Sequence, residues 1–280
     1  MRWKQGRRSS NVDDRRGRKR VPGGAKLGGG AIIIALVAAV LFGQDPLVVL
    51  QQLSSGTSST QTQASAPRSP AEDQAAEFSR VVLADTEDVW NRLFAQSGSR
   101  YQEPVLVLYT DVTNTACGVG QAASGPFYCP GDNQLYIDLG FLGELKRLGA
   151  PGDFAFAYVI AHEVGHHVQN LIGVARQVHT EKQRSSQRDA NALQVKMELQ
   201  ADCFAGLWAH HAQQQRQILE AGDVEEGLSA AAAVGDDRLQ RAAGRRVQPE
   251  TFTHGTSEQR MQWFRRGLET GSVDACNTFR

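Results

Sequence analysis

Residues 161–170 read AHEVGHHVQN, and within them His162-Glu163-Val164-Gly165-His166 is an H-E-x-x-H pattern. On an α-helix, positions i and i+4 share one face. Two imidazoles at that spacing can bind one zinc ion, and the glutamate beside the first can serve as general base towards an attacking water. Most other offsets would aim the two rings apart. His167 points roughly 100° further round the helix and reads as a packing or hydrogen-bonding residue. The surrounding stretch FAYVIAHEVGHHV is apolar before the motif, and no charge intrudes between Glu163 and Gln169. That suits a helix lying beneath a cleft. Gly165 weakens a helix by about 1 kcal/mol relative to alanine, which points to close approach by another backbone. Alone, such a histidine pair can also be a satisfied core feature.

Hydrolytic zinc takes three protein ligands and keeps its fourth position open. The downstream candidates are His179, Glu181, Asp189, Glu198, Asp202, His210 and His211. MELQADCFAG, residues 197–206, stands out because Glu198 and Asp202 lie at i and i+4 on an otherwise apolar helix. Neither has a Lys or Arg at i±3 or i±4 to pair with. Buried carboxylates are costly unless paired or metal-bound. Glu198 as ligand and Asp202 as acceptor from a ligand imidazole would satisfy both; the alternative is a pair of surface acids in salt bridges. His210 and His211 lie more than three helical turns beyond Glu198, roughly 18 Å along a straight helix. They cannot reach the same ion and read as structural or surface residues.

H-E-x-x-H on one helix followed by E-x-x-x-D on a second resembles the gluzincin metallopeptidases. More narrowly, AHEVGHHVQ, ELQADCFAGLWAHH, FYCPGDNQLYIDL and HGTSEQRMQWF resemble the bacterial neutral zinc metallopeptidase family. The resemblance spans about residues 70–280 and the basic, anchor-like stretch before them. It implies a zincin-like fold, one zinc ion per chain held by His162, His166 and Glu198, and peptidase activity with Glu163 as general base. His254, just before a helix start, becomes a candidate oxyanion donor, or else a loop histidine that caps that helix. QLYID (134–138) resembles the edge strand along which zincins align extended peptides, with Tyr136 as a cleft wall.

These residues need elements to hold them. Phe78, Val82, Val89, Leu93 and Phe94 recur at helical spacing over 72–96, and PVLVLYT (104–110) reads as a buried strand. Residues 111–134 form a long loop or hairpin, QLYID a second strand, and 141–148 a short helix ended by GAPG. Asp153 caps a helix running to about Leu171. A polar segment, 176–185, separates it from a long helix over 186–219, which Ser186 and Asp189 open with a capping box. Short helices follow at 223–234 and 236–243, and Thr256 with Gln259 opens a last one carrying Met261, Trp263, Phe264 and Leu268. The class is α+β: a mostly helical domain over 71–280 with a small early sheet.

Zero formal net charge conceals an asymmetry, because residues 1–26 carry ten Lys/Arg against Asp13 and Asp14. The uncharged LGGGAIIIALVAAVLFG (27–43) that follows argues against nucleic acid as partner. At the short end of bilayer-spanning length, with cations before it, it reads as a single transmembrane anchor. A cleaved signal peptide or a core helix is the alternative. The expectation is thus a basic cytoplasmic tail (1–26), an anchor (27–43), a flexible linker (44–70) and a catalytic domain on the periplasmic or extracellular side. Four dispersed cysteines in such a compartment read as two disulfides. Of three pairings, Cys117–Cys129, closing a short loop, and Cys203–Cys276, tying down the C-terminus, are favoured. The function expected is a membrane-anchored zinc peptidase acting on a peptide or protein substrate. A silent zincin-fold binding protein and a non-peptidase zinc amidohydrolase stay open, and the sequence leaves oligomeric state undecided.

Overall fold

The computed structural model of the protein describes residues 1–17 and 69–280. Helix α1 (Pro70–Gln96) starts at Ser69, whose hydroxyl accepts from the Glu72 amide while Glu72 returns the bond to the Ser69 amide. A mixed sheet follows, in the order β1 (Val12–Asp14), β2 (Val105–Tyr109), β6 (Gln134–Asp138), β5 (Phe127–Cys129). β1, β2 and β6 run parallel and β5 antiparallel. Between β2 and β5 a two-stranded hairpin, β3 (Val112–Thr115) with β4 (Gly118–Gln121), stands apart. Helices α2 (Phe141–Arg147), α3 (Asp153–Leu171), α4 (Val174–Lys182), α5 (Gln187–Arg216), α6 (Asp223–Ala233), α7 (Asp236–Ala242) and α8 (Ser257–Thr270) complete an α+β fold.

The core gathers on α3, which is apolar nearly all round. Phe154, Phe156, Tyr158, Ile160, Val164 and Val168 are all buried, as are Phe204, Leu207 and Trp208 of α5. A helix hydrophobic on every face belongs inside a domain, and here α1, α5 and the sheet surround it. The residues expected to separate α3 from α5 form α4 instead. Asp153 does not cap α3; the N-cap is Gly152, and the Asp153 carboxylate accepts from the Met1 ammonium at 2.7 Å. Thr256 and Gln259 do close a capping box at the start of α8. QLYID is not an edge strand: β6 lies between β2 and β5, with Tyr136 buried beneath. Short β5 takes that edge.

Both favoured disulfides are present, Cys117–Cys129 and Cys203–Cys276. The second closes a long loop, which in the chain-entropy description stabilises by about 4 kcal/mol. It fastens the C-terminal turn to α5. Close by, α5 and α8 cross at Gly206 and Gly267. A Cβ at either glycine would overlap a backbone carbonyl of the other helix, Phe264 O or Cys203 O.

The N-terminal stretch corrects the expected topology. Met1–Arg16 belongs to the same compact unit as Arg68–Arg280. β1 pairs with β2, and the Arg7 guanidinium donates to Glu87 and Asp88, each at 2.8 Å. Ser9 and Asn11 donate to the other oxygen of Glu87, a carboxylate only 1% exposed. A chain crossing a membrane once between these two parts would leave them on opposite sides, so they could not fold together. Among the described residues no helix is long and apolar enough to cross a membrane. The single-pass arrangement, with a cytoplasmic N-terminus and an exported domain, is therefore overturned. The 27–43 segment itself and the 44–68 part of the expected linker lie outside the described residues.

Removing Glu87 takes one acceptor from each of Arg7, Ser9 and Asn11, although Arg7 keeps Asp88 and Asn11 keeps Glu103. Glu87→Ala should cost about 1–3 kcal/mol in urea unfolding. Hydrogen exchange over Met1–Arg16 should rise well before exchange in α3.

Candidate metal centre

Helices α3 and α5 cross where Gly165 faces Ala201. A Cβ on Gly165 would sit 3.1 Å from both the Cα and the carbonyl oxygen of Ala201. The close backbone approach expected from that glycine is therefore present, and it brings the two i, i+4 pairs face to face. His162 Nε2 lies 3.3 Å from Glu198 Oε2, and His166 Nε2 lies 3.4 Å from the same oxygen. One donor atom from each of the three residues falls within 4.8 Å of the others. Glu163 is next to His162 on α3, 7% exposed; among the described residues no side chain donates a hydrogen bond to its carboxylate.

Asp202, fully buried, stands behind His162 with Oδ1 2.8 Å from Nδ1. The same carboxylate accepts a two-pronged bond from Arg260, Nε to Oδ2 and Nη2 to Oδ1, both 2.8 Å. Tyr158 also donates to it, and Arg260 Nη2 donates to the Tyr158 hydroxyl at 3.2 Å. Glu198 receives a bond from Gln194 at 2.8 Å on its second oxygen. Burial alone would lower the His162 imidazole, but Asp202 and Glu198 outweigh it and raise it to about 9. His166 is raised against burial by Glu198. Burial of Glu198 is in turn outweighed by the two imidazoles, which hold it well below the ordinary carboxylate range. Burial would likewise raise Asp202, yet Arg260 and His162 keep it low.

This donor set fits zinc. Two imidazoles and a carboxylate converge, both histidines have Nδ1 engaged by an oxygen of Asp202 or Gln169, and both Nε2 atoms face Glu198. That is the ligand number and second-layer support zinc requires. None of His179, Glu181 or Asp189 joins the cluster. In the other acidic group among the described residues, Asp153, Asp223 and Glu226, the first two bond the Met1 ammonium and Glu226 accepts from the Phe154 amide.

The remaining histidines have structural partners. His167 is fully buried, with Nε2 2.6 Å from Gln102 O and Nδ1 3.1 Å from the Tyr128 hydroxyl. His210 and His211 reach the Leu268 and Gly271 carbonyls at the end of α8. His254 sits exposed before α8, its ring 3.2 Å from Asp236 and from Thr253. None of its hydrogen bonds reaches the trio. Arg260, Tyr158 and Gln169 were not anticipated. Arg260 had a signal: it shares the buried stripe of α8 with Phe264 and Gly267 at i+4 and i+7, and an arginine on such a stripe needs a buried acid.

Two histidines and a glutamate on crossed buried helices, braced by an ion-paired aspartate, are the ligand arrangement of zinc hydrolases. The chain belongs to the family described as "Putative neutral zinc metallopeptidase", whose profile matches residues 1–279. It is 49% identical over 290 residues to the uncharacterized protein YpfJ of Escherichia coli (strain K12), covering 100% of this chain and 99% of the relative. It is 41% identical over 213 residues to the uncharacterized protein Rv2575 of Mycobacterium tuberculosis (strain ATCC 25618 / H37Rv), covering 71% of this chain and 70% of that one. No solved structure matches the chain significantly.

Arg260→Leu removes the main countercharge of a buried carboxylate and should lower stability by about 3 kcal/mol in denaturant unfolding. Combined with Asp202→Asn, the loss should fall short of the sum of the single losses, because the two groups are coupled.

Proposed function

We propose that this protein is a zinc-dependent peptidase of zincin-like architecture that cleaves peptide bonds within protein or peptide substrates, with one zinc per chain. The observation that carries the reading is the convergence of His162, His166 and Glu198 within 4.8 Å, with Glu163 one residue from the first histidine. Membership in a zinc metallopeptidase family agrees with it.

His162 and His166 would hold the metal through Nε2, and Glu198 through a carboxylate oxygen. Zinc, when bound, supplies Lewis acidity for polarising the scissile carbonyl and activating the attacking water. Asp202 keeps the His162 proton on Nδ1 and the ring in place. Glu163, whose carboxylate accepts no side-chain hydrogen bond among the described residues, takes the proton from the attacking water and delivers it to the leaving amine. Buried Val164 and Val168 seat the helix that carries these groups in the core. His254 takes no step in this chemistry, its ring being engaged with Asp236.

Purified full-length protein should contain zinc near one per chain and cleave members of a peptide library. Glu163→Gln should retain zinc and lose about 10²–10⁴-fold in kcat. Glu198→Ala should lose zinc itself. Well-folded parent that takes up no zinc, or Glu163→Gln cleaving at the parent rate, would defeat the proposal.

A further inference from the structure

His162 and His166 are held from behind by different chemistry. Behind His162 stands the Asp202 carboxylate; behind His166 stands a neutral carboxamide, Gln169, with Oε1 2.9 Å from Nδ1. Gln169 is fully buried. Its Nε2 donates to Met197 O at 2.7 Å and to Gln200 Oε1 at 3.1 Å. Two oxygens at that end admit only one orientation of the amide, with the NH₂ towards them and the oxygen towards His166. An oxygen facing Nδ1 requires a proton there, so in the neutral ring Nε2 is the nitrogen left to bind a metal, on the side facing Glu198. Gln200 is oriented the same way: Oε1 accepts from Gln169, and Nε2 donates to Cys276 O at 3.1 Å. Cys276 is in turn bonded to Cys203 on α5.

We propose that Gln169 and Gln200 are positioning residues, a carboxamide relay that fixes the tautomer and ring plane of His166. The relay's far end matters as much as its near end. Met197 and Gln200 bracket Glu198 in a single turn of α5, so His166 is aligned against the same backbone that carries the third ligand. Gln200 is buried as well, so water does not substitute freely for either amide. A leucine at 169 would fill the space and leave His166 Nδ1 without an acceptor. A glutamate at 169 would keep an oxygen towards Nδ1 and forfeit the amide donors. The inference rests on His166 being a metal ligand.

The test compares zinc affinity, by chelator competition, in the full-length parent, Gln169→Leu, Gln169→Glu and Gln200→Leu. Unfolding temperatures of the metal-free proteins are measured alongside. Gln169→Leu should bind zinc about 10–100-fold more weakly. Gln169→Glu should stay close to the parent although it too is destabilised, and Gln200→Leu should show a smaller loss than Gln169→Leu. In cobalt-loaded protein, the ligand-field bands should shift in Gln169→Leu and hold in Gln169→Glu. Parent-like zinc binding by Gln169→Leu would overturn the proposal. So would equal losses in Gln169→Leu and Gln169→Glu that follow stability alone. Should Gln169→Leu not fold, Gln200→Leu binding zinc as tightly as the parent would overturn it. A folded parent that takes up no zinc would instead defeat the metal assignment, and the relay with it.

Discussion

Asp202 is a carboxylate with no access to water, placed on α5 at its crossing with α3. An isolated charge there would be prohibitively costly, so its position dictates what surrounds it. Arg260 must come from α8 with a two-pronged bond, Tyr158 must turn its hydroxyl inward, and His162 must present Nδ1. Each requirement constrains an element. α8 can bring Arg260 close only because Gly206 and Gly267 let its backbone touch that of α5. α3 can bring His162 close only because Gly165 does the same on the other side. The Cys203–Cys276 bridge then holds the chain leaving α8 against α5. A chemical need at one oxygen pair therefore reaches three helices and a disulfide.

The N-terminal segment follows the same logic with different partners. Glu87 on α1 is nearly as buried as Asp202, and it collects donors from Arg7, Ser9 and Asn11. The Met1 ammonium plays the reverse part, set among Asp153, Glu220 and Asp223. Burying charge is tolerable at both places because each group has its opposite within hydrogen-bonding reach. β1 adds backbone pairing at the edge of β2. Together these contacts make the first residues an integral strand and strap of the domain.

What the sequence revealed, and what it hid, divides along the range of the forces involved. Periodicity and caps are local, so helices α1, α3, α5 and α8 were legible within a few residues, as was the capping box at Thr256. The two i, i+4 pairs were legible for the same reason: His162 with His166, and Glu198 with Asp202, each share a face by helix geometry alone. That the two faces meet is implied by the resemblance to gluzincins, with Gly165 marking a close backbone approach and the absence of nearby cations marking Glu198 and Asp202. The hidden parts depend on contacts between distant residues. Arg7 and its neighbours read as a solvated cationic tail because their partners Glu87 and Asp88 stand about eighty positions away. The edge position of β6 came from the resemblance to zincins, and nothing within QLYID announces that β5 pairs on its far side. Arg260 was lost among the charges of an amphipathic helix, although its phase with Phe264 marked it as inward.

His162 and His166 differ in what stands behind them, and the difference has consequences. Asp202 bears a full charge, so it raises the basicity of His162 and needs Arg260 to be tolerable. Gln169 is neutral, so it orients His166 without adding charge to a site where Glu163, Glu198 and Asp202 already lie close. A second charged support would need a second buried cation, and the described structure supplies Arg260 at only one of the two positions. Carboxamides solve that problem because each can accept at one end and donate at the other. The chain from His166 through Gln169 and Gln200 to the Cys276 carbonyl therefore extends support outward without extending charge. The electrostatic load of the centre stays concentrated on the Asp202 side, where α8 is built to carry it.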